Sequence, residues 1–214
     1  MQPTTITVHT IRAALRRPLP GRVVQQTMAV RPRPGDRPDL PVPCPHEGAV
    51  LLLVYRRHGE LVLPLTRRTD RLEMHRGQIS LPGGHREPQD GSFEQTALRE
   101  TAEELGVPER AVEILGPLTP LFIPVSSFCV YPYVGYARRA WTLRPDEREV
   151  AEAFEVPVHR LLDPAIRQVE VHFQDNQRFE VPAYELGEHR IWGATAMILA
   201  EFLALLRAVL AETG

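Results

Sequence analysis

A mixed β-sheet with helices on both faces, an α/β fold, is what this 214-residue chain predicts from three features. Strand-length apolar runs concentrate in its first half, a charged helix with an apolar stripe lies near the middle, and a long apolar helix closes it. The length fits one well-buried core and is too short for two large domains. The expected division is an N-terminal helix and Pro-rich arm over 1–45, then one domain over 46–214 that includes the C-terminal helix.

Taken in order, Thr5 to Arg17 carries Ile6, Val8, Ile11 and Leu15 without Gly or Pro and predicts a short docking helix, ended by Pro18 and Pro20-Gly21. It lacks the basic-then-apolar pattern of a signal peptide. From Ala29 to Pro45 the prolines at 32, 34, 38, 41, 43 and 45 are too dense for a helix or a central strand, so an extended arm over the domain is expected. Ala49 to Tyr55 is a continuous apolar run of strand length. The His58-Gly59 turn signal and the strand Leu61 to Thr66 complete a hairpin. Arg67, Arg68, Arg71, His75 and Arg76 then concentrate positive potential just before Gly77 to Gly84. Val112 to Leu118 and Phe128 to Tyr136 read as strands around a loop with Pro120, Pro124, Ser126 and Ser127. Asp146 to Glu155 is an acidic stretch, expected as a loop, and Pro157 to Leu162 a short helix. Val169 to Phe173 and Arg178 to Tyr184 flank Asp175-Asn176, a hairpin signal. Ala194 to Glu212 is a helix whose apolar run, broken by Glu201 and Arg207, stays below about 18 uncharged residues. It is therefore core or a homodimer interface rather than a membrane span.

A net charge of −2 from interspersed acids and bases gives no global attraction to nucleic acid or membrane, so phosphate recognition must be local. Cys44 and Cys129, without a CxxC or Cys/His cluster, argue against a disulfide framework and structural zinc, and for a reducing, cytoplasmic location. His75 and His85 lack the spacing of a zinc site or a triad. Ser126-Ser127 has no nucleophile-elbow context.

The chemistry concentrates in Gly83 to Val107. Ser92 and Gln95 have capping-box spacing and Gly106 stands where a helix stops, so a helix of three to four turns presents Ala97, Leu98, Ala102 and Leu105 to a core. Glu100, Glu103 and Glu104, at i, i+3 and i+4, share one face looking outward. Like charges at that spacing repel by about 0.2–0.5 kcal/mol per pair. A hard divalent cation, Mg²⁺ or Mn²⁺, offsets that repulsion and suits carboxylate ligands.

Gly84, Arg99, Glu100, Glu103, Glu104, Gly106 and Val107 resemble the Nudix hydrolase signature, G-x5-E-x7-R-E-U-x-E-E-x-G-U, where U is bulky and apolar. Asp90 replaces the first Glu, one extra residue separates it from Arg99, and Thr101 occupies an apolar position. The resemblance implies an α/β/α sandwich with a mixed sheet and an enzyme that hydrolyses nucleoside diphosphate derivatives, a small-molecule nucleotide substrate. It also implies metal ligands at Glu100, Glu103, Glu104 and the Gly84 carbonyl. Glu100 is the first candidate for the general base and Glu103 the second, with Arg99 orienting the carboxylates. Gly83 allows close backbone approach, and Glu149 and Glu152 are candidates for a further carboxylate.

Upstream, Leu65, Thr66, Arg68, Gly77, Pro82, Gly83 and Gly84 resemble the coenzyme A pyrophosphatase motif, L-L-T-x-R-[S/A]-x3-R-x3-G-x3-F-P-G-G. Pro64, Thr69, Glu73 and Leu81 depart from it. That subgroup implies cleavage of coenzyme A to 3′,5′-ADP and 4′-phosphopantetheine, with Arg67, Arg68, Arg71 and Arg76 available to the 3′-phosphate and diphosphate. ADP-ribose or another nucleoside diphosphate derivative is the alternative substrate. A non-catalytic nucleotide-binding module is the alternative of another class.

Overall fold

The computed structural model describes residues 6–37, 39–69, 77–174 and 177–213. The chain opens with α1 (Val8–Leu15), shorter than expected because a Thr7/Thr10 capping box sets its start. A second short helix, α2 (Gly21–Gln25), follows where only a break was expected. The Pro-rich arm is tied down, Arg31 exchanging backbone hydrogen bonds of 2.9 and 2.8 Å with Glu180, and it turns at residues 33–36 rather than running extended throughout.

The main sheet begins with β1 (His46–Arg57) and β2 (Glu60–Arg68), an antiparallel hairpin. Its turn residues His58 and Gly59 both have positive φ, 48° and 89°, the geometry that matches strand twist in two-residue loops. Next come β3 (Ile79–Ser80), β4 (Gly83–His85), α3 (Phe93–Leu105), β5 (Val112–Pro117), β6 (Leu121–Ile123) and β7 (Phe128–Ala137). β1 and β7 run parallel from His46↔Phe128 to Tyr55↔Ala137, and every other pairing is antiparallel, so the sheet is mixed.

The acidic stretch is not a loop throughout. From Val150 it becomes β8 (Val150–Pro157), paired with β2. Glu152 hid the alternation of Val150, Phe154 and Val156, and it and Glu155 each find an arginine, Arg67 and Arg57. After α4 (Val158–Leu161), β9 (Arg167–Gln174), β10 (Gln177–Leu186) and β11 (His189–Trp192) form a small antiparallel sheet, and α5 (Gly193–Thr213) ends the fold. The Asp175-Asn176 turn lies outside the described residues, but its flanks pair as a hairpin, Gln174↔Gln177.

Strand alternation explains why the β1 run has no polar face. Ala49, Leu51, Leu53 and Tyr55 pack with Ala97 and Leu105 of α3, whereas Leu52 and Val54 pack with Ile11 of α1 and Phe202, Leu203 and Leu206 of α5. The sheet is thus covered on both faces. α5 is long and apolar enough to cross a membrane, with mean hydropathy 1.9 over Gly193–Glu212. It packs instead into this core, and its Glu201 is fully buried.

One expectation fails outright. Cys44 and Cys129 are joined in a disulfide, with Cα atoms 6.3 Å apart. Parallel pairing of His46 with Phe128 brings the end of the arm beside β7, a proximity that a sequence separation of 85 conceals. The bond removes the free-thiol reasoning for a reducing compartment.

Candidate active site

Ser92 caps α3 by accepting from the Gln95 backbone N–H at 3.2 Å, and the Gln95 side chain closes the box on Gly91 rather than on the cap itself. Gly106 ends the helix in the left-handed region, φ 70°. Ala97 and Leu105 are buried as expected. Thr101 is buried too, and its hydroxyl donates to the Ala97 carbonyl at 2.7 Å, which lets a polar residue fill an apolar position.

Asp90 accounts for the altered spacing ahead of the helix. It is 3% exposed and accepts from Arg99 Nε and Nη2 at 3.0 Å each, from Thr96 Oγ1 at 2.9 Å and from the Glu87 N–H at 3.0 Å. The Arg99 guanidinium holds this carboxyl well below its ordinary value. Arg99 also reaches the His85 carbonyl at 2.9 Å, Glu100 at 3.0 Å and Glu103 at 3.1 Å. One guanidinium therefore fastens the loop to the helix and orients two of its acids.

The three helix carboxylates differ in environment. Glu103 is exposed and held by Arg99. Glu100 lies against Gly84, where an added Cβ would fall 2.6 Å from its carboxylate atoms. At Gly83 (φ 152°) a Cβ would fall 2.3 Å from the Ala49 carbonyl oxygen, so both glycines are required by close approach. Glu104 does not look outward: it is 4% exposed, and its Oε2 has no hydrogen-bond partner. Burial pushes its pKa up to about 8, Arg68 pulls it down, and Glu100 and Glu149 push it further up. Burial likewise raises Glu100, with Glu103 and Glu149 adding to the rise against the pull of Arg99.

Of the two further acids, Glu149 acts electrostatically on both Glu100 and Glu104. Glu152 is engaged elsewhere, 3.0 Å from Arg67 and 3.1 Å from His189. Arg67 is accordingly paired, whereas the buried Arg68 Nε has no partner. Arg71 and Arg76 lie outside the described residues, as do Glu73 and His75. Among the described residues no three acid, His or Cys side chains already converge as a metal cage. The residues nonetheless fit a cation: an unpartnered buried oxygen on Glu104, neighbouring like charges, and a backbone cradle at Gly84 that a Cβ would fill.

Sequence reading missed the flank of this site. A cleft of about 430 Å³ is lined by His46, Glu47, His85 and Arg86 among others, immediately after Gly84. Arg86 lies 4.8 Å over the Phe93 ring, which stacks on Tyr131 at 3.7 Å. Gly48, next along β1 from Glu47, packs on Gly84: a Cβ there would fall 2.1 Å from the Gly84 carbonyl oxygen. The signal available in the sequence was adjacency to Gly84, since the partners come from β1 and β7.

A profile of the NUDIX domain matches residues 45–176. The chain belongs to the Nudix family. A relative named "Uncharacterized Nudix hydrolase NudL", from Yersinia enterocolitica, is 41% identical over 160 residues, covering 72% of this chain and 78% of the relative. Among solved structures, a MutT/nudix family protein from Enterococcus faecalis aligns with TM-score 0.54 at 19% identity, over 80% of this chain and 65% of that one. The Nudix hydrolase RenU from M. smegmatis aligns with TM-score 0.51 at 19% identity, over 79% and 88%. Both share the fold. As a Nudix hydrolase this chain is a pyrophosphohydrolase, and enzymes of the family generally use divalent metal ions such as Mg²⁺.

Proposed function

We propose that this Nudix enzyme cleaves the pyrophosphate bond of coenzyme A or its derivatives, giving 3′,5′-ADP and 4′-phosphopantetheine or its acyl form, with Mg²⁺ or Mn²⁺. The reaction reading rests on the unpartnered, buried Glu104 Oε2, which neighbours Gly83 and Glu100, with Glu100 in turn packed against Gly84. Glu100, Glu103, Glu104 and the Gly84 carbonyl would hold the metal, with Glu149 as the further carboxylate. When bound, a divalent cation supplies neutralisation of the diphosphate and Lewis acidity toward it.

The chain's own groups supply the rest. Arg99 orients Glu100 and Glu103, and its anchor on Asp90 fixes where it stands. Glu100, with a raised pKa, is the stronger candidate to take a proton from the attacking water, and Glu103 the second. Arg68, with its unpartnered Nε beside Glu104, has donors available for a phosphate oxygen. Gly83 and Gly84 leave the backbone open to close approach.

The coenzyme A assignment is supported by the Leu65-Thr66-Arg67-Arg68 and Pro82-Gly83-Gly84 matches, with Arg71 and Arg76 as additional cations for the 3′-phosphate. Incubation with Mg²⁺ and coenzyme A, acetyl-coenzyme A, ADP-ribose, NADH and diadenosine polyphosphates, followed by product separation, ranks the substrates. Coenzyme A or its acetyl form should lead. A tenfold or greater preference for ADP-ribose would overturn the assignment, and tight binding without turnover would make the domain a sensor.

A further inference from the structure

A second cavity, of about 270 Å³, lies between α2, the turn after α4, β10 and α5. Its lining combines two cations, Arg167 and Arg207, with the apolar side chains of Val24, Leu162, Ala200 and Ala204. Each arginine is pinned by a backbone carbonyl. Arg167 Nη2 donates to Thr27 O at 2.9 Å, and Arg207 Nη2 to Leu162 O at 3.4 Å. Both side chains are exposed, and neither has a carboxylate within 4 Å among the described residues, so their remaining N–H donors are open to solvent and lack an anion. Asp163, also in the lining, is occupied in capping Ala165 at 2.9 Å.

Tyr184 supplies the decisive group. It is 3% exposed overall and lines the cavity, and its hydroxyl, which has no hydrogen-bond partner among the described residues, is not one of the solvent-excluded polar atoms, so it opens to the cavity. Burial raises the Tyr184 pKa above its ordinary value, and Arg207 and Arg167 oppose that rise, so both cations reach the hydroxyl electrostatically.

We infer that this cavity binds a small organic anion, its phosphate or carboxylate held by Arg167, Arg207 and the Tyr184 hydroxyl and its apolar body against Val24, Leu162 and Ala204. Arginine's planar fork suits either anion. The volume lies just below the roughly 300–1,000 Å³ of drug-sized sites, which restricts the ligand to a single-ring or short-chain body. None of these residues belongs to the α3 site, so this inference is independent of the substrate assignment.

The test is calorimetric titration of the full chain, in EDTA, with phenyl phosphate, benzoate and inorganic phosphate separately. Phenyl phosphate, benzoate or both should bind saturably, and whichever is tighter identifies the head group. Arg167→Gln/Arg207→Gln should weaken that binding at least tenfold and Tyr184→Phe several-fold, with circular dichroism and Mg²⁺-dependent hydrolysis unchanged. Arg167→Gln alone gives the same reading if the double variant unfolds. Equal affinity in wild type and variants, no binding of any probe at millimolar concentration, or inorganic phosphate binding as tightly as phenyl phosphate would overturn the inference.

Discussion

Two glutamates are buried on opposite faces of the sheet, and they are buried in opposite ways. Glu201 of α5 is 0% exposed, and each of its oxygens accepts twice, from Gly21 N and Thr119 Oγ1 and from Gln25 Nε2 and Thr119 N. Glu104 of α3 is 4% exposed with one oxygen unpartnered. A buried carboxylate costs several kcal/mol unless compensated. On the α5 face the chain itself compensates, so Glu201 fastens α2, the Thr119 segment and α5 together. On the α3 face compensation is left to something from outside, and that difference separates a structural acid from a site.

Catalysis separates the two faces most strongly. Glu103→Gln should lower kcat by about 10³-fold or more, roughly 4 kcal/mol of barrier, while thermal unfolding changes little because Glu103 is exposed. A steady-state rate near wild type would remove Glu103 from the site. Glu201→Ala should do the reverse. It removes four hydrogen bonds and should cost about 3 kcal/mol in urea unfolding, with Mg²⁺ dependence of the rate unaltered.

Asp90→Asn falls between the two, since Asp90 is structural yet positions Arg99. A loss of about 2 kcal/mol is expected, with lower kcat as Glu100 and Glu103 lose their orienting group. Because the folded pKa lies below the ordinary 3.8, the Asp90 contribution is present above that value and lost as pH falls through the lower folded one. The stability penalty of Asp90→Asn should therefore be constant from about pH 5 to 8 and shrink only in acid.

These contrasts also mark what could be read without coordinates. The β1 run, the His58-Gly59 turn, α3 with its caps and α5 are local patterns, and periodicity and turn chemistry recover them. β8 escaped because Glu152 interrupts the face shared by Val150, Phe154 and Val156, and the strand's two acids, Glu152 and Glu155, are paired with Arg67 and Arg57. The Cys44–Cys129 bond and the Glu201 cluster depend on which strands and helices adjoin, which no local pattern encodes. At the site, helix spacing brought Glu100, Glu103 and Glu104 to one face. It could not tell that Glu104 points inward, that Asp90 anchors Arg99 or that Arg67 is paired with Glu152, because each depends on tertiary packing.

The most direct measurement compares wild type and Glu104→Gln for unfolding free energy, without metal and with Mg²⁺, across pH 5 to 9. The Glu104 pKa is about 8 in the folded chain against an ordinary 4.5. Its contribution to stability is thus fully present below 4.5 and lost as pH rises through about 8. Metal-free Glu104→Gln should therefore be more stable than wild type by about 1–3 kcal/mol near pH 8, with the gain fading toward pH 5. Mg²⁺ should raise wild-type stability and leave the variant nearly unchanged. A metal-free variant less stable than wild type at pH 8, or equal stabilisation of both proteins by Mg²⁺, would contradict the assignment of Glu104 to a cation site.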